Sequence, residues 1–298
     1  MLGLTSTVAL IERLTMDRAL RRICGFSLCR RLPSEATFSR AFAEFAERCL
    51  AERVHEALIK EQLGHELIGH LSRDGTAIEA RERPARKEHT EAQSPPVAAY
   101  PGKRRGRPPR GEARRAAPIS PLARQRGQTL AEMRQEIPTA CDRGTKCNAQ
   151  GYKVSWNGYK LHLDTADCGV PISALLSSAS MHDSRAAIPL SLMSAARVDN
   201  LYDLMDAAYC SLELHEHSRS LNHVPLIDHN PRGGGKERFE PADAIRYQAR
   251  TTAERANARL KEEFGARHVM VRGNSKVMSH LMFGVLSLSA DQLMRLRP

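Results

Sequence analysis

The stretch Tyr247-Gln-Ala-Arg250-Thr-Thr-Ala-Glu254-Arg-Ala-Asn-Ala-Arg-Leu-Lys261 decides how this sequence is read. At about 100° per residue, Tyr247, Arg250, Glu254 and Lys261 fall within a roughly 60° arc of one helix face. Ala249, Ala253, Ala256 and Leu260 lie on the far side. Such a helix can pack on a core with one face and present a phenol, two cations and a carboxylate on the other. A carboxylate suits a hard cation, and Arg and Lys suit phosphate oxygens. An ordinary solvated charged face with internal ion pairs fits the same spacing.

Working outward, the flanking segments alternate between strand and helix patterns. Leu67, Ile68 and Leu71 lead into Arg73-Asp74-Gly75-Thr76, an apolar run predicted to be a buried strand ending in a turn. Tyr159–Asp164 and Val170–Leu176, joined by Asp167-Cys168-Gly169, predict a β-hairpin. Residues 186–196 read as a helix. Leu201–Met205 reads as a strand ending at Asp206, and 224–228 as another. Residues 241–264 and 276–296 read as helices. Strands interleaved with helices and a hairpin predict an α/β domain.

Residues 1–66 read as an N-terminal helical region, with Ser34 as an N-cap and Phe38, Phe42 and Phe45 as an apolar stripe. Two short helices about a turn fit either a DNA-binding unit or plain helical packing. Residues 81–126 hold eight of the 16 prolines, and 13 Lys and Arg against four Glu. A segment with so little to bury is expected to be a disordered basic linker. Its full extent, to the start of the main catalytic part at 149–298, is taken as 81–148. Within it, Lys103-Arg-Arg105-Gly-Arg107-Pro-Pro-Arg110 resembles an AT-hook, in which Arg105 and Arg107 would lie along a narrow minor groove. A nonspecific basic patch would carry the same charge.

The chain has 298 residues, a formal charge of +11 and 5% aromatics, including one Trp. That charge balance favours a polyanionic partner. Seven cysteines without a Cys-x-x-Cys pair argue against a zinc knuckle or a disulfide framework. No apolar run is long enough to span a bilayer, and no secretory pattern opens the chain, so a cytoplasmic location is expected. His215 and His217 lack partners at metal-ligand spacing and read as exposed. Gly233–Gly235 precedes no Gly-Lys-Ser/Thr and is no P-loop. Trp156 reads as a packing residue or as a surface for stacking a displaced base.

Tyr247-x₂-Arg250-x₃-Glu254-x₆-Lys261 resembles the Tyr-Arg-Glu-Lys signature of bacterial insertion-sequence transposases of the acidic-triad (DDE) type. Four further segments resemble that family in the same order: Asp74-Gly75-Thr76, Trp156-x₂-Tyr159-Lys-Leu-His162, Ser180-x-His182-Asp183-Ser184 and Leu204-Met-Asp206-Ala-Ala-Tyr209. The resemblance covers about residues 10–298. It implies a ribonuclease-H-like mixed sheet flanked by helices, with the first Asp on the first strand, the second near the end of the fourth and the Glu on a later helix. It therefore implies Asp74, Asp206 and Glu254 as the catalytic, metal-binding triad, with Asp203 a nearby competitor for Asp206. Two Mg²⁺ or Mn²⁺ ions would be the cofactors. Tyr247, Arg250 and Lys261 would handle DNA phosphate. The implied activity is nicking of element ends and strand transfer to target double-stranded DNA by a homodimer on DNA, at the bacterial nucleoid. A truncated or inactive DNA-binding derivative and a host nuclease of the same fold are the alternative readings.

Overall fold

A computed structural model describes residue 4 and residues 6–84, 119–147, 150–231 and 234–296. Arg105, Arg107 and Gly233 lie outside these residues.

Four helices open the chain: α1 (Thr7–Met16), α2 (Arg18–Ile23), α3 (Glu35–Glu47) and α4 (Leu50–Leu63). The apolar pattern around Thr15–Ile23 is broken at Asp17. It ends α1 and caps α2, its carboxylate accepting the Leu20 N–H at 2.9 Å. Ser34 caps α3 as expected, accepting from Thr37 N.

Strand β1 (Leu67–Glu79) follows. The expected turn at Asp74-Gly75 is absent, because the backbone continues in register. β1 pairs parallel with β5 (Asp199–Met205) as far as Arg73, and antiparallel with β3 (Lys153–Ala166) from Leu71 to Glu79. Asp74 therefore sits mid-strand, at the point where one neighbour stops. The predicted hairpin is β3 with β4 (Pro171–Ser178), and Gly169 (φ 84°) supplies the left-handed residue its turn requires.

The expected linker ends earlier than position 148. Helices α5 (Pro121–Gln125) and α6 (Leu130–Glu136) and strand β2 (Asp142–Cys147) belong to the folded domain. Thr129 and Glu132 form a reciprocal capping box on α6. Leu122, Met133 and Ile137 are buried against the sheet layer, so the proline-rich composition concealed enough apolar residues to anchor this part.

The six strands run β2-β3-β1-β5 and then β6 (Val224–Ile227), with β4 also on β3. This mixed sheet flanked by helices is the ribonuclease-H-like class expected. One face is covered by α10 (Thr251–Glu262), α11 (Asn274–Leu296) and α4, through Ile78, Leu163, Ala256, Leu260 and Leu281. The other is covered by α7 (Ser184–Ala195) and α8 (Leu212–Ser220), through Ile188, Met205, Tyr209 and Leu214. Because strand side chains alternate, Asp74 and Ile78 face α10, whereas Arg73 and Gly75 face α7. The seven cysteines are unpaired. Among the described residues, no helix is long and apolar enough to cross a membrane.

Candidate active site

The register places two aspartates side by side. Arg73 pairs with Met205 across β1 and β5, and Met205 pairs with Ile227 across β5 and β6. The next residues are Asp74, Asp206 and Asp228, at one level of three adjacent strands. Asp206 ends the β5 extension. Its backbone is extended (φ −79°, ψ 177°), and Oδ1 accepts the Ala208 N–H at 2.9 Å, starting a 3₁₀ turn over Ala207–Tyr209.

Asp74 is fixed from α10. Asn257 Nδ2 donates to Asp74 Oδ2 at 2.9 Å. Burial, then the charge of Asp206, push the Asp74 carboxyl up to about 6, against the pull of Arg250 and the Asn257 bond. Burial also raises Asp206, opposed by the Ala208 N–H and Arg250 and helped by the charges of Asp183 and Asp228. Burial raises both carboxylates and Arg250 only partly offsets it, an environment that a divalent cation would relieve.

Glu254 stands differently. Its carboxylate is half-exposed and paired with Arg250, four residues earlier. Among the described residues, no three His, Cys, Asp or Glu side chains converge closely enough to hold a metal ion. Among these residues, Asp74 and Asp206 stand alone as neighbouring carboxylates, without a third ligand beside them. Glu254 lies on the same side of the site but is engaged by Arg250.

The expected single helix over 241–264 is interrupted. α9 (Pro241–Tyr247) gives way to a 3₁₀ turn at Gln248–Arg250 before α10. Tyr247 therefore ends one helix and Glu254 lies in the next. The Tyr247 hydroxyl donates to the Met205 carbonyl at 3.1 Å, tying it to the residue before Asp206. Arg250 lies 5.9 Å from the Tyr247 ring centroid. Burial lowers the Lys261 ammonium, with Lys146 and Arg267 adding to the effect and Asp74 and Glu79 opposing it. A half-buried cation within the field of Asp74 is well placed for phosphate.

Asp203, three residues before Asp206, stands in a different setting. It is 2% exposed, bonded by Asn200 Nδ2 at 3.1 Å, and lies 3.2 Å from His223 Nδ1. Burial alone would raise its pKa, but His223 and Arg73 hold it below the usual carboxylate range.

Trp156 has the surroundings of a packing residue, and one expectation, an exposed His217, is corrected. Trp156 is 8% exposed and donates through Nε1 to the Tyr159 carbonyl at 3.0 Å. Its ring lies so close to Gly144 that a Cβ there would come within 2.4 Å of it. The indole is packed against the backbone of β2, in line with the packing reading of this residue. His217 is half-buried, with Nε2 2.6 Å from Ser191 Oγ, and burial pushes it down to about 4. Helix α8 turns it onto α7.

Sequence reasoning missed Asn257, Asp183 and Asp228 as neighbours of the pair. Asn257 had a signal: it interrupts the Ala253, Ala256 and Leu260 stripe with an amide that needs a partner. The model of the family described as a transposase DDE domain matches residues 135–289, just over half of the chain. No curated protein matches it.

Proposed function

The chain belongs to the transposase DDE-domain family, and from that premise we propose that it nicks the ends of its element and transfers the 3′-hydroxyl ends to target DNA, using Asp74, Asp206 and Glu254 as metal ligands. Membership implies DNA as the substrate. The observation that carries the finer reading is the adjacency of Asp74 and Asp206 at one level of parallel neighbours, both with raised carboxyl pKa.

These residues would hold Mg²⁺ or Mn²⁺, one ion or two. When bound, such ions activate a water or 3′-hydroxyl and stabilise the leaving oxygen. The chain's own residues do the remaining work. Tyr247 pins the Met205 carbonyl and so fixes the approach of Asp206. Asn257 holds one oxygen of Asp74 and leaves the other for the site. Arg250 neutralises Glu254 and lowers both aspartates in the absence of DNA. A DNA phosphate offered to Arg250 would compete with Glu254 for the guanidinium and free that carboxylate to join the pair. Lys261 would take a second phosphate. The protein would act as a dimer on DNA, as the sequence resemblance implies.

The test is substitution to the isosteric amide. Asp74→Asn, Asp206→Asn and Glu254→Gln should each abolish nicking and strand transfer while binding element-end DNA as the wild type does, because an amide is a poor ligand for a hard cation. Near wild-type cleavage by any one of them would remove that residue from the triad.

A further inference from the structure

The motifs around His162 and Asp183 resemble the family but have no part in the triad. The structure brings them together on the α7 face of the sheet, directly behind Asp74. A Cβ on Gly75 would stand 3.1 Å from His162 Nδ1 and 3.2 Å from Asp183 Oδ1. Glycine thus leaves a notch there, walled by a ring nitrogen and a carboxylate. Lys160 Nζ closes a further side, donating to Asp183 Oδ1 at 2.9 Å and to the Met181 carbonyl at 2.8 Å.

Two buried polar atoms lack a partner in this region among the described residues. One is His162 Nδ1, on a fully buried ring; the other is the hydroxyl of Tyr209, 1% exposed. Tyr209 lies within the electrostatic reach of Asp183, Asp74 and Asp206. Buried polar groups without partners are rare, and ordered water is the usual remedy.

The chemistry of the walls selects the occupant. Burial pushes His162 down to about 4; Asp183 opposes this, and Lys160 and Arg73 add to it. The imidazole is therefore neutral. Ser177 Oγ donates to the Ser178 carbonyl at 3.3 Å and accepts from His162 Nε2 at 2.9 Å. That leaves Nδ1 as an acceptor. Arg73 and Lys160 disfavour a cation, and Asp183 disfavours an anion. A water molecule would meet every demand, accepting from the Tyr209 hydroxyl and donating to His162 Nδ1 and to Asp183.

We propose that Gly75 keeps open a site for buried water linking Asp183, His162 and Tyr209, and that Asp183 acts through it as a positioning residue for Asp206. The path is short. Tyr209 ends the 3₁₀ turn that Asp206 begins, with Tyr209 N donating to the Asp206 carbonyl at 3.0 Å. Anchoring the phenol anchors the turn, and the turn aims the carboxylate. Only the metal-affinity part of this inference rests on reading Asp74 and Asp206 as metal ligands.

A high-resolution crystal structure of the full DNA-free chain should show density in the notch within hydrogen-bond distance of His162 Nδ1 and Asp183. Tyr209→Phe should lower the melting temperature by about 2–4 °C, since the bridge is lost. If the hydroxyl were a true orphan, removing it would raise the melting temperature instead. Calorimetric Mn²⁺ titration should show affinity reduced about tenfold in Tyr209→Phe and in Asp183→Asn, as for other residues that orient metal ligands. The double variant should be no worse than either single one, because both cut one link. An empty notch, a raised melting temperature or additive losses would each overturn the proposal. Asp74→Asn that binds Mn²⁺ like the wild type would sink the metal reading alone, leaving the density and melting results to decide the water site.

Discussion

Arg250, at the end of the 3₁₀ turn, forms an ion pair with Glu254 on the first turn of α10, and the same guanidinium lowers the pKa of both Asp74 and Asp206. That guanidinium thus acts on three acids. Glu254 is half-exposed, so the pair itself stabilises the fold little. On the proposed reading, a DNA phosphate would displace so weak a pair.

Removing that cation should favour metal. Arg250→Gln is expected to raise Mn²⁺ affinity about two- to fivefold without DNA, the equivalent of the roughly 1 kcal/mol an exposed pair supplies, and to weaken DNA binding. Calorimetry and a filter-binding assay measure the two effects. Unchanged Mn²⁺ affinity would mean that Arg250 does not compete for Glu254.

Asp74 gives the metal-free protein a distinctive pH dependence. Its carboxyl is raised from 3.8 to about 6, so between those values the native state binds more protons than the unfolded chain. Stability should therefore fall as pH rises from about 4 to 6, by no more than about 3 kcal/mol. Asp74→Asn should flatten that slope. Denaturant unfolding across the window, in EDTA, measures it, and an equally steep slope in the variant would assign the effect elsewhere.

The two aspartates of the β5 segment should separate cleanly. Asp203→Ala leaves His223 and Asn200 without their buried partner and should cost about 3 kcal/mol of stability. Asp206→Asn should cost little stability and all activity. Thermal melts and nicking assays on both variants distinguish the roles, and the reverse pattern would exchange them.

Trp156→Ala should lose about 3–5 kcal/mol of stability, as for other buried aromatics, while the folded fraction keeps its affinity for single-stranded DNA. A selective loss of that affinity with unchanged stability would favour the stacking reading.

Arg105→Ala with Arg107→Ala should weaken binding to A·T-rich duplex and reduce the salt slope by about one to two. Equal affinity and slope would reduce Arg105-Gly-Arg107-Pro to a spacer.

Much of this was legible because it is local. The hairpin over Tyr159–Leu176 announced itself by alternation and Asp-Cys-Gly, and Ser34 by its place before a helical stripe. Asp74 was legible as a residue type but not as a mid-strand one, since Asp-Gly favours a turn wherever tertiary pairing does not hold the strand straight. β3 does hold it, through Leu163 opposite Asp74. The stretch over 247–261 was read too simply as one helix. Trp156 and His217 depend on contacts across the fold, with Gly144 and Ser191, which no spacing rule reaches. Nothing in the spacing of residues 74, 206 and 228 shows that they share a level. That follows only from the pairing of β1, β5 and β6.

β1 is the middle strand of the sheet, yet it comes from residues 67–79, before the basic insertion, while its neighbours β3 and β5 come after it. A chain cut between 84 and 119 would yield two pieces, neither with a whole sheet. The later piece carries Asp206 and Glu254 and lacks both Asp74 and the strand that β3 and β5 pair against. The pieces should therefore be inert apart and active when co-expressed. Complementation of this kind would turn the insertion into a natural seam for a split enzyme, switched on by bringing its halves together.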